Sequence, residues 1–101
     1  MFVNTGNSMH VDKAKKRIAK LVKAGFKGYP QISIEYFGEN INCATLVVVK
    51  FTLEEGAQAQ EEQFTSKDDA RESEVIQSAL VKIIERANAK TVLEVSGVSP
   101  L

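Results

Sequence analysis

At 101 residues and 11.1 kDa, with 44% hydrophobic residues, the chain has room for one compact domain and no second one. A single Cys43 and a single His10 rule out an internal disulfide and leave a zinc-type centre short of ligands. Thirteen basic and thirteen acidic residues give a formal net charge of zero, and the longest apolar run, Leu46 to Val49, is far short of a membrane span.

Met1 to His10 has neither the basic start nor the apolar core of a signal peptide. The expectation is a soluble, cytoplasmic protein with no cofactor, no metal and no membrane partner. One domain spans residues 1–101, with flexible ends at 1–7 and 97–101. The neutral total conceals a strong segregation. Val11 to Lys27 holds seven cations against Asp12 alone, a net +6 that the remainder must balance with −6.

In chain order, Val11, Ala14, Ile18, Leu21, Val22 and Phe26 recur at helical spacing, and this predicts a helix over about Met9 to Ala24. Asn7 or Ser8 is its expected N-cap, with Asp12 in the first turn, and Gly25, Gly28 and Pro30 stop it. Phe2 and Val3 could add a little strand in front. Ile32, Ile34 and Tyr36 alternate with Ser33, Glu35 and Phe37, the period of a half-buried strand. Ile41 to Leu53 reads as a longer strand, apolar on both faces in its middle, which places it inside the sheet. After the turn at Gly56, Ala57 to Thr65 is polar enough to be a solvated edge strand.

Ser66 and Asp69 form an S-x-x-D capping signal, and Asp68, Asp69 and Glu72 suit the positive end of a helix. Ile76, Leu80, Ile83, Ile84 and Ala87 then make an inward stripe ending near Asn88. Lys90 to Val98 is rich in β-branched residues and predicts a last strand. The order α-β-β-β-α-β gives an α+β two-layer sandwich: an antiparallel sheet of three to four strands with two helices on one face. Apolar residues left on the other face favour a dimer or a partner there.

The order helix, three strands, helix resembles the double-stranded RNA-binding domain over about Met9 to Asn88. That resemblance implies basic side chains at the start of the last helix that touch phosphates across the RNA groove. Ser66-Lys67-Asp68-Asp69-Ala70-Arg71 keeps the serine, the first lysine, the alanine and a terminal cation, but has Asp68 where a lysine belongs. The first hairpin turn, Gly38-Glu39-Asn40, lacks the family's Gly-Pro-His type of signal. The basic helix here is the first one instead.

Lys13, Lys16, Lys20, Lys23 and Lys27 repeat at three and four residues opposite the apolar stripe, a ridge suited either to solvation or to an anionic partner such as nucleic acid. Phe37, Gln58, Gln60 and Glu62 mark the expected protein interface, on the uncovered face or the polar edge. Catalytic signals are weak. Glu54 and Glu55, or Glu61 and Glu62, cannot act as carboxylate pairs because neighbours on a strand point to opposite faces. Cys43, in the expected second strand, reads as a packed small residue, and Tyr29, Tyr36 and Phe37 read as packing rather than a base-stacking platform. No glycine-rich phosphate loop is present. The expectation is a non-enzymatic interaction module that binds an unidentified protein partner and self-associates, with nucleic-acid binding by the basic helix as the alternative.

Overall fold

The computed structural model describes the backbone from Val3 to Leu101 and the side chains from Val11 onward. Helix α1 (Val3–Lys23) is followed by β1 (Gln31–Gly38), β2 (Leu46–Thr52) and β3 (Gln60–Thr65). A 3₁₀ turn (Ala70–Glu72) leads into α2 (Glu74–Arg86), β4 (Thr91–Glu94) and β5 (Ser99–Pro100). The α+β class and the two helices on one sheet face are as the sequence predicts. Ile18 of α1 and Ile76, Leu80 and Ile84 of α2 form one buried cluster with Ile32, Ile34, Tyr36, Val47, Val49 and Val92 of the sheet.

The sheet differs from expectation in being mixed and five-stranded, ordered β3-β2-β1-β4 with β5 also on β1. β1, β2 and β3 are antiparallel neighbours, whereas β4 runs parallel to β1, Ile32 opposite Val92 and Ile34 opposite Glu94. A parallel neighbour needs a crossover, and α2 supplies it between β3 and β4. The expected single last strand over Lys90 to Val98 is split: β4 ends at Glu94, and after a loop the tail returns to pair Ser99 with Phe37 and Pro100 with Gly38. The tail expected to be free is thus strand-paired in part.

Helix α1 starts earlier than expected. Val3, expected in a strand, opens the helix, Asn7 and Ser8 lie inside it rather than capping it, and Asp12 is near its middle; Phe2 is outside the described residues. At the other end Gly25, with φ +78°, takes the left-handed conformation that glycine adopts at little cost, so Phe26 falls off the helix and stands 62% exposed. α2 also starts later than expected, at Glu74, because Ser73 is its cap: the Ser73 hydroxyl oxygen accepts from the Ile76 amide at 3.2 Å. It ends in a Schellman arrangement, with Asn88 at φ 52° and the Ala89 amide donating to the Ile84 carbonyl at 3.2 Å.

Two shorter strands replace longer expectations. β2 begins at Leu46 rather than Ile41, because residues 39–45 form a loop in which Asn40 bridges Cys43. Cys43 is therefore a half-buried loop residue, not a strand residue. The loop lies close over β1: a Cβ at Gly38 would stand 2.2 Å from the Cys43 carbonyl oxygen, so only glycine fits. β3 is confined to Gln60–Thr65 and is an edge strand with only Phe64 half-buried.

Candidate functional site

The basic face lies on α1. Lys13, Lys16, Lys20 and Lys23 are all exposed, as is Lys27 in the loop after the helix. Among the described residues none of these five lysines lies in an ion pair, whereas Lys15 and Arg17 of the same helix are paired with Glu72 at 2.5 Å and Glu85 at 3.4 Å. Lys27 is set apart from the ridge by its backbone, whose amide donates to Thr91 Oγ1 at 2.8 Å. α1 packs against β4, so this face stands at one edge of the sheet.

The opposite edge is acidic. Leu53 to Thr65 carries Glu54, Glu55, Glu61 and Glu62 and no cation, and Gln60 to Gln63 are all exposed. Glu61 lies opposite Lys50 and Glu62 opposite Val49, so the two carboxylates of the doublet point to different faces, as alternation requires. The residues expected to form one interface are not brought together. Gln60 and Glu62 share register with Phe51 and Val49 on the helix side of the sheet, Gln58 precedes β3, and Phe37 lies on the other face opposite Leu46.

That other face carries Phe37, Leu46, Val48 and Leu93 without a helix over it, but the chain's own tail takes part of it. The Ser99 hydroxyl donates to Glu35 Oε2 at 2.7 Å, and Pro100 and Leu101 border a shallow depression of about 380 Å³ with Phe37, Leu46 and Val48. Tyr29 packs edge-on against Phe26 at 5.4 Å and Tyr36 is buried in the core, so the three aromatics of the first strand region form no common platform.

A cleft of about 600 Å³ opens where β1 and β4, the parallel pair, reach their carboxyl ends. Its walls are Lys15 and Lys16 of α1, Asp69, Arg71 and Glu72 around the 3₁₀ turn, and Glu94 to Gly97 after β4. Its floor is Tyr36 and Gln77, only 4% and 2% exposed. Gln77 Nε2 donates to the Tyr36 oxygen at 2.9 Å and to the Ala70 carbonyl at 3.1 Å. Burial, the largest influence, pushes the Tyr36 hydroxyl up to about 12, against the lowering effect of the Gln77 hydrogen bond.

Asp69 is the cap of the 3₁₀ turn rather than of α2. Its carboxylate accepts from the Arg71 amide at 3.0 Å, from Arg71 Nε and Nη2 at 2.9 and 2.7 Å, and from the Ala44 amide at 3.3 Å. These bonds, the Arg71 side chain first, hold the Asp69 pKa below its ordinary value. Arg71, the terminal cation of the stretch that resembles the RNA-binding signature, is therefore held by Asp69, which lies four residues before Ser73, the cap of α2. The guanidinium that the resemblance would turn toward phosphate is paired with Asp69 in this structure.

Sequence reasoning passed over Gln77 and Glu94. Gln77 had a readable signal, since it shares the helix face of Leu80 and Ile84 at spacings of three and seven, where a polar residue must find a buried partner. Glu94 had none, because its place opposite Ile34 depends on the parallel pairing. Among the described residues no His, Cys, Asp or Glu cluster could hold a metal ion, and no helix is long and apolar enough to cross a membrane. Comparison with protein-family models, curated proteins and solved structures finds no match to this chain.

Proposed function

We propose that the chain is a small non-enzymatic interaction module that binds a macromolecular partner, and that a second copy of itself is one such partner. The observation that supports this reading is the position of its charges: the lysines of α1 at the β4 edge, in no ion pair among the described residues, and the exposed glutamates of β3 at the opposite edge. Like charges disfavour a symmetric pairing of two β3 strands, because a two-fold axis centred on this doublet sets Glu61 against Glu61 or Glu62 against Glu62 of the other copy. Opposite charges favour a head-to-tail contact, in which the basic helix of one copy meets the acidic hairpin of the next.

Sedimentation velocity at low and physiological salt tests it. Assembly that weakens with salt is expected, because exposed charges are screened beyond about 8 Å at physiological ionic strength. Lys20→Glu with Lys23→Glu, and Glu61→Lys with Glu62→Lys, should each be monomeric alone. Mixed, they should form a one-to-one complex through the one intact surface that each retains. A wild-type protein that stays monomeric at low salt and high concentration overturns self-association.

That Lys13, Lys16, Lys20 and Lys23 lie in no ion pair among the described residues also supports a second reading, nucleic-acid binding by the α1 ridge. Titration with duplex RNA, duplex DNA and single strands, followed by amide NMR, decides it. Saturable, salt-sensitive shifts confined to Lys13 through Lys27 favour this reading, and none at low salt removes it.

A further inference from the structure

The cleft beside α1 lies at the β4 edge and shares Lys16 with the basic face, and its walls hold two opposite charges with no ion-pair partner among the described residues. Lys15 has Glu72, and Arg71 has a two-point hold on Asp69. Lys16 and Glu94 line the same cleft, yet they are too far apart to pair with each other and have no other ion-pair partner among the described residues. At the floor the Tyr36 oxygen accepts from Gln77, which leaves the hydroxyl proton, in a residue 96% buried, with no acceptor among the described residues. That proton is available to a group in the cleft.

The charge inventory narrows what can enter. Three cations, Lys15, Lys16 and Arg71, stand with three carboxylates, Asp69, Glu72 and Glu94. A simple anion meets the carboxylates and a simple cation meets the lysines, so a ligand with one charge of each sign fits best. The volume is in the range of small-molecule sites, roughly 300–1,000 Å³, and buried polar groups converge on it. Glu94 is exposed over much of its surface, yet enough protein surrounds its carboxyl that burial pushes its pKa up, as for a carboxylate with no cation beside it.

We infer that this cleft binds a small zwitterion, a free amino acid or short peptide, whose carboxylate accepts from Lys16 and the Tyr36 hydroxyl and whose ammonium donates to Glu94. Such bonds are charge-assisted at both ends, the stronger class of hydrogen bond. The inference does not depend on self-association, because Lys20 and Lys23 do not line the cleft.

Amide NMR of the labelled protein, titrated with glycine, diglycine and triglycine, tests it. At least one should give saturable shifts at Lys16, Tyr36, Gln77 and Glu94 to Gly97. Capping the amine with acetyl or the carboxylate as amide should weaken binding by about tenfold or more, the size expected for one lost charge-assisted bond. Glu94→Gln and Lys16→Gln should each do the same, with unchanged spectra elsewhere to show that they are folded. Lys20→Glu with Lys23→Glu should leave the binding intact. No saturable shift with any of the three ligands overturns the inference, as does unchanged affinity in either cleft variant.

Discussion

The two edges of the sheet are built from opposite materials. At one edge β4 is overlaid by α1, so Thr91 and Val92 are buried and the chain there closes a cleft with Tyr36 and Gln77 in its floor. At the other edge β3 lies outside the cover of the helices. Five of its six residues are exposed, and only Phe64 reaches the core. The difference teaches where stability and recognition can be separated. Substitutions on β4 and its neighbours act through packing, whereas β3 is held by its ladder with β2 and can vary its side chains with little loss.

The largest effect should come from the buried middle of the sheet. Ile32, fully buried between Phe51 of β2 and Val92 of β4, should cost about 2–5 kcal/mol on change to alanine, read as a lower urea midpoint with an unchanged slope. A smaller loss would mean that the β1–β4 side collapses around the cavity and is less rigid than its burial implies.

The cleft floor gives a pH-dependent term. A tyrosine whose pKa is raised from 10.0 to about 12 by folding keeps its full contribution below pH 10 and loses it as pH rises through about 12. By linkage the loss reaches roughly 3 kcal/mol, and Tyr36→Phe should remove this alkaline dependence in urea titrations between those limits. The phenylalanine variant also lacks the Gln77 hydrogen bond, so it starts about 1 kcal/mol lower at neutral pH.

Next in size is the α2 cap. Ser73→Ala should cost about 1 kcal/mol, whereas Asp68→Ala, exposed and outside any cap, should stay within about 0.5 kcal/mol. On the opposite edge Glu61→Lys with Glu62→Lys, which sets a lysine opposite Lys50, should cost no more than about 1 kcal/mol while abolishing self-association, which is the sharpest form of the contrast. Last, Glu94→Gln should slightly raise the melting temperature at neutral pH. Because the folded pKa of Glu94 is raised, its favourable contribution exists below the ordinary carboxylate range and is lost as pH rises. A fall in melting temperature would show that the carboxylate already has a stabilising partner.

The legible part of this molecule was periodic. Ile76, Leu80 and Ile84 announce the buried face of α2, and Ile32, Ile34 and Tyr36 the covered face of β1, because each pattern repeats with the period of its own backbone. The polarity of Gln60 to Gln63 likewise announced an edge. Capping was less legible: Ser66 with Asp69 reads as the helix start, whereas Asp69 instead caps a 3₁₀ turn, gripping Arg71 and the Ala44 amide, and the helix begins after Ser73. The candidate surfaces divided in the same way. The lysine ridge was visible as spacing on one helix, whereas the cleft joins residues from four distant segments.

By itself, then, the sequence determined the element types, the covered faces, the polar edge and the segregation of charge, all properties that neighbouring residues share through local geometry. Only the tertiary structure decided that β4 runs parallel beside β1, that the tail returns onto the open face, and that Lys16, Tyr36, Gln77 and Glu94 meet around one cavity. The reason is that strand partners some sixty residues apart, such as Ile32 and Val92, are chosen by which helices can cover the sheet between them, and no local period records that choice.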